Sequence, residues 1–126
     1  MADLLQSLAH AASGMEAQSR RIRHVTENIA NADTPGYRRK TVEFQPDPDG
    51  GGVALGPMRL DPRPLPLVYD PTHPLADEGG HYEGSNVDMV VEIADAREAN
   101  RSYEANLRMF DQARQMTASL LELLRR

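Results

Sequence analysis

The sequence predicts a mainly α protein. Long N- and C-terminal helices pair as an antiparallel coiled coil, with a small irregular, partly β (hairpin), Pro/Gly-rich insert between them. Three observations carry this reading. All nine prolines and eight of the nine glycines fall between Thr34 and Asn86, with only Gly14 outside. Proline removes a backbone donor and glycine carries a large ordering cost, so long helices avoid both. Both ends repeat apolar residues at alternating four- and three-residue steps, the period that keeps one seam facing a partner helix. The expected division is a discontinuous helical domain, residues 1–33 plus 87–126, and an insert, 34–86.

The N-terminal seam runs through Leu4, Leu8, Ala11, Met15, Ile22, Val25, Ile29 and Ala32, with Gln18 its polar member. Asp3 followed by Gln6 resembles a capping pair. The stop is Asn31-Ala32-Asp33-Thr34-Pro35-Gly36. Pro35 pushes Thr34 out of helical geometry, and Pro35-Gly36 suits the centre of a type II turn. Asn28 and Asn31 are placed to satisfy backbone groups at the helix end.

In the insert, Tyr37 to Phe44 alternates enough for a strand with Val42 and Phe44 on one face. Asp47 to Gly52 is a turn, and Val53 to Leu60 returns as a second strand. Pro62, Pro64 and Pro66 favour an extended, polyproline-like segment.

The C-terminal seam runs through Met89, Ile93, Ala96, Tyr103, Leu107, Phe110, Leu121 and Leu124, with polar Asn100, Arg114 and Thr117. Ser85-Asn86-Val87-Asp88 fits a capping box at its entrance. Arg125 and Arg126 close the chain, where positive charge favours a helix C-terminus. The two helices are expected to match in length, with the insert at one end. Several seam residues are only alanine, and Leu5, Leu120 and Leu123 stay outside the seam. The pair is therefore expected to be marginal alone and to fold fully when neighbouring copies cover its second faces.

A chain of 126 residues with net charge -5 has no basic field for nucleic acid, and without cysteine it has no thiolate chemistry. No run approaches the roughly 20 apolar residues that span a bilayer, so membrane insertion is not expected. The N-terminus lacks a basic region ahead of an apolar run, so no cleaved signal peptide is expected.

Asn28-Ile29-Ala30-Asn31-Ala32-Asp33-Thr34-Pro35-Gly36-Tyr37 resembles the N-terminal motif of the flagellar rod and hook axial protein family. Arg101-Ser102-Tyr103-Glu104-Ala105-Asn106 is similar to that family's C-terminal helix signature. Tyr69-Asp70-Pro71-Thr72-His73-Pro74-Leu75-Ala76-Asp77, followed by Asn86-Val87, resembles the proximal-rod branch, and Asn86, Val87 and Glu92 join Tyr103, Glu104 and Asn106 in the C-terminal motif. Ser85 stands where that branch usually carries proline.

The resemblance implies a structural subunit of the bacterial flagellar basal-body rod, not an enzyme. Such subunits polymerise through terminal helices into the drive shaft that crosses the periplasm and carries torque for motility. Its partners would be other copies of itself, other proximal and distal rod proteins and the basal adaptor. The flagellar type III export apparatus would carry it from the cytoplasm. No catalytic residue, cofactor or metal is implied.

The remaining signals have bland readings. His73 with Asp70 and Asp77 offers only three local metal ligands, so a proline-stiffened loop bonding backbone is expected. Arg38-Arg39-Lys40 is read as an intersubunit ion-pair partner for acidic residues such as Asp95, Glu98 and Glu104 of adjacent copies. Gln18, Asn100, Arg114 and Thr117 are either tolerated or fix helix register. Gly14 costs a helix about 1 kcal/mol relative to alanine, which points to close approach of another chain. The alternative function is a stand-alone helical-hairpin interaction module, which would be a well-folded monomer or defined dimer at micromolar concentration.

Overall fold

A computed structural model describes residues 2–125. Helix α1 spans Ala2–Ala30 and helix α2 spans Met89–Arg125. Between them lie three two-stranded antiparallel ribbons. Strand β1 (Lys40–Thr41) pairs with β4 (Arg59–Leu60), β2 (Phe44–Pro46) with β3 (Val53–Leu55), and β5 (Leu67–Tyr69) with β6 (His81–Glu83).

The helices pack antiparallel. Asn28 meets Glu92 at 3.3 Å, Arg21 meets Glu98 at 3.3 Å and Asp95 at 3.6 Å, and Gly14 faces Asn106. The phase of the seam differs from the expected one. Ala11, Gly14, Ala17, Val25 and Asn28 are buried on α1, and Glu92, Ala99 and Ala113 on α2. Leu4, Leu8, Met15, Ile22 and Ile29 are half-buried, as are Tyr103, Asn106 and Phe110. Met89, Ile93, Leu107, Leu121 and Leu124, expected to face α1, are exposed.

The physical reason is size. A Cβ added at Gly14 would lie 2.7 Å from the Asn106 side-chain oxygen. At such close approach glycine, alanine, Val25 and a few polar groups fill the space between the helices, and Met89, Ile93 and Leu107 turn outward, while Leu121 and Leu124 lie on the part of α2 that has no α1 opposite it. The chain that approaches Gly14 is thus α2 of the same molecule. Gly14→Leu is expected to destabilise by about 1–3 kcal/mol through overpacking. Gly14→Ala combined with Asn106→Ala removes the clash and adds helix propensity, so its urea midpoint should rise above that of Gly14→Ala alone.

The helices are also unequal, with 29 residues in α1 and 37 in α2. The difference is about 12 Å at 1.5 Å per residue. Leu4 lies level with Met116, so the end of α2 projects beyond α1. Asp3 sits inside the first turn of α1. At α2 the cap is Asp88 and not Ser85: the Asp88 carboxylate accepts from the Val90 N–H at 3.0 Å. Arg125 lies in the last turn of α2, and Arg126 lies outside the described residues.

The expected hairpin is present but broken. Val42 and Glu43 oppose Gly56-Pro57-Met58, where Pro57 has no N–H to give a ladder, and the Gly56 N–H donates to the Glu43 carbonyl at 2.8 Å. The far part of the hairpin folds back along α1. The Val53 N–H donates to Ser13 Oγ at 3.1 Å, and the Arg21 guanidinium lies 5.7 Å from the Phe44 ring centre. The insert therefore covers one side of α1 as well as one end of the pair. The β5–β6 ribbon was not foreseen beside the proline-rich segment.

Candidate functional site

The densest polar structure of the molecule is the junction where both helices meet the insert. It begins with the end of α1. The Asn31 amide donates to the Glu27 carbonyl at 2.8 Å and its oxygen accepts from the Thr34 hydroxyl at 3.1 Å. The Tyr37 N–H then donates to the Thr34 carbonyl at 3.2 Å, closing a turn in which Gly36 takes φ 74°. Only glycine adopts that angle readily at the third position of a type II turn. The turn sends the chain back so that the Tyr37 hydroxyl donates to Asn28 Oδ1 at 2.8 Å.

Asn28 is 1 % exposed and all of its hydrogen-bonding capacity is used. Its oxygen also accepts from the Lys40 N–H at 2.9 Å, and its amide donates to the Lys40 carbonyl at 3.0 Å. The side chain thus serves β1 as a neighbouring strand would. The same amide donates to Glu92 Oε2 at 3.3 Å.

Glu92 is 0 % exposed. Its other oxygen accepts from Arg39 Nε, and Arg39 also reaches Asp95 at 2.9 Å and Asp61 at 3.9 Å. A buried carboxylate needs such pairing, because an unpaired charge in low dielectric is costly. Asn86 closes the far side. Its oxygen accepts from the Arg39 N–H at 2.6 Å, and its amide donates to the carbonyls of Asp61 at 3.1 Å and Arg63 at 3.2 Å. The Gly36 N–H donates to the Glu83 carbonyl at 3.1 Å, and the Ser85 hydroxyl donates to the Ala32 carbonyl.

Residues singled out in the N-terminal motif (Asn28, Asn31, Thr34, Pro35, Gly36, Tyr37) and in the second (Asn86, Val87, Glu92) therefore converge at one place. Tyr103, Glu104 and Asn106 lie farther along α2, where Asn106 faces Gly14. The remaining motif forms a separate loop between β5 and β6. There Asp70 accepts from the Thr72 hydroxyl at 2.8 Å, His73 Nδ1 from the Leu75 N–H at 3.1 Å, and Asp77 from the His81 N–H at 3.0 Å. His73 stacks on Tyr82 with ring centres 3.9 Å apart, while Pro71 and Pro74 bound the turn. These side chains hold loop backbone, which leaves His73 with its Nδ1 lone pair in use.

The ion pairs of Arg39 and Lys40 are a correction. Arg39 pairs with Glu92 and Asp95, and Lys40 with Glu27, all within the chain. Asp61 and Arg63, missed in the sequence, complete the network, with Arg63 to Asp61 at 2.8 Å. The signal for the junction in the sequence lay in the motif residues Asn28, Tyr37, Asn86 and Glu92.

The hydrogen bond from the Arg63 side chain, followed by the one from its N–H, holds the Asp61 carboxyl below the usual carboxylate range. Lys40 does the same for Glu27. A depressed pKa contributes stability above the unfolded value of about 4, and that contribution is lost as pH falls through the folded value. Thermal melts should therefore fall in acid below about pH 4, and Asp61→Asn should flatten that limb while lowering stability at neutral pH.

Known proteins match the two sides of this junction. Residues 8–38 match the family described as Flagella basal body rod protein, and residues 78–123 match Flagellar basal body rod FlgEFG protein C-terminal. The flagellar basal-body rod protein FlgC of Agrobacterium fabrum is 45 % identical over 126 residues, covering 91 % of each chain. The chain belongs to the FlgC family of flagellar basal-body rod proteins. FlgC of Salmonella typhimurium is 36 % identical over 130 residues, covering 95 % of this chain and 97 % of its own. FlgC of Borreliella burgdorferi is 34 % identical, covering 96 % and 97 %. FlgC membership makes this a structural rod protein of the flagellar basal body. Among the described residues no helix is long and apolar enough to cross a membrane.

Proposed function

We infer that this subunit polymerises with other rod proteins into the shaft that crosses the periplasm, and that torque passes through contacts between its helices and those of its neighbours. Exposed surface carries the inference. A folded monomer of 14.0 kDa exposes about 6,700 Å². This chain exposes 8775 Å², and its buried apolar core is four residues of alanine and one valine. About 2,000 Å² of excess surface, much of it leucine, isoleucine, valine and methionine on α2, is what a subunit shows before neighbours cover it.

In the assembled shaft the antiparallel pair supercoils as a coiled coil, and the junction transmits load from the helices to the insert. Export proceeds through the flagellar type III apparatus without a cleaved signal, and the partners are other copies, proximal and distal rod proteins and the basal adaptor. Deletion of the gene with microscopy of basal bodies tests the role. Rods truncated at their base are expected, and intact motile flagella would refute it.

A further inference from the structure

The long apolar side chains that the small-residue seam turns outward form a second surface. At 3.6 residues per turn, Met15, Ile22 and Ile29 lie roughly 180° around α1 from Ser13, Arg20 and His24, the side that the hairpin covers. The helix register, set by Asn28 against Glu92 and Gly14 against Asn106, brings Ile29 beside Ile93 and Met15 beside Leu107. The three α1 residues are half-buried, whereas Ile93 and Leu107 are 44 % and 40 % exposed. The result is an apolar groove along the face opposite the hairpin. Between its two apolar rungs Asn100 is exposed beside Ile22, a polar position of the kind that sets helix register.

A second apolar surface lies elsewhere on the chain. Where α2 projects past α1, Leu120, Leu121, Leu123 and Leu124 are all exposed, and at 3.6 residues per turn they form one apolar face roughly 160° wide, with Ser119, Glu122 and Arg125 on the other side. An apolar stripe of that width is the face that a helix buries against a neighbour. We propose that the projecting end of α2 of one copy lies in the Met15–Ile22–Ile29/Ile93–Leu107 groove of a second copy.

Three features select a second copy as the occupant. The groove walls and the projecting helix keep the 3.5–3.6-residue spacing that lets helices interdigitate. A standard contact buries about 800 Å² per partner, so a chain using both surfaces buries about 1,600 Å², close to the excess that it exposes. Groove and projecting end are also different surfaces, so their union is head-to-tail, leaving one of each free to continue into an open assembly. This rests on the polymerising reading above and names the surfaces that it uses.

The test uses two variants of the full chain at exposed positions, Leu121→Glu/Leu124→Glu for the projecting end and Ile93→Glu/Leu107→Glu for the groove. Glutamate keeps helix propensity, and circular dichroism checks each fold. In sedimentation across a concentration series, the parent chain should grow beyond a dimer. Each variant alone should associate at least about tenfold more weakly, and an equimolar mixture should recover association but stop at a dimer, because only one intact groove meets one intact end. Variants that associate like the parent, a mixture no better than its components, or a parent chain monomeric throughout would each overturn the contact. The basal-body phenotype of the deletion decides the rod reading separately.

Discussion

Glu92→Ala is expected to lower stability by about 3–5 kcal/mol, the range for breaking a buried charge pair by removing one partner. Three losses combine. The Arg39 guanidinium loses the carboxylate that meets its Nε, the Asn28 amide loses one acceptor, and α2 loses its tie to α1 and to the segment that enters β1. For a chain of this length the melting temperature should fall by roughly 10 °C or more, measured at fixed protein concentration because association shifts the apparent value. Asp95→Ala removes a half-exposed partner of the same guanidinium and should cost much less. Equal effects of the two would mean that burial of Glu92 does not govern the junction.

Asn28→Asp should be nearly as damaging although it changes a single heavy atom. The side chain has room for a carboxylate, but an oxygen then replaces the nitrogen that donates to the Lys40 carbonyl and to Glu92. Two acceptors face acceptors, and two carboxylates share a buried site. A cost of about 3 kcal/mol at neutral pH follows from one lost charged-acceptor bond, one lost backbone bond and the repulsion. The sign with pH distinguishes this from simple loss of packing. Carboxylates that share a site have one pKa raised, so acid returns a proton that can bridge them, and the deficit should shrink below about pH 5. Asn28→Ala should show no such recovery. Tyr37→Phe, which removes only the phenol donor to Asn28, should cost about 1 kcal/mol.

The helices, their approximate limits, the type II turn at Thr34–Tyr37 and the first hairpin were legible in the sequence. The phase of the helix seam was not. Periodicity finds the stripe with the largest apolar residues, and here Met89, Ile93 and Leu107 face outward while Gly14, Ala99 and Ala113 form the intramolecular contact; Leu121 and Leu124 are exposed because α2 outruns α1. The difference has a cause: where two helices approach closely through glycine and alanine, the most apolar stripe need not be the internal one. The junction was half legible. Asn28, Tyr37, Asn86 and Glu92 drew attention as motif residues, but nothing in the sequence says that an asparagine side chain will pair with both backbone groups of Lys40. Arg39 and Lys40 were misread because their internal partners, Glu92, Asp95 and Glu27, come together only once α1 and α2 have paired. The β5–β6 ribbon was invisible because its three-residue strands are too short to show alternation beside Pro66 and Pro71.

The central claim is that the helix pair, held internally by small and polar residues, is completed by neighbouring subunits. Helicity of the full chain by circular dichroism, followed together with sedimentation across a concentration series, tests it most directly. Helicity should rise with assembled mass, and the dilute chain should melt broadly. Full, concentration-independent helicity with a sharp melt in a monomer would contradict it.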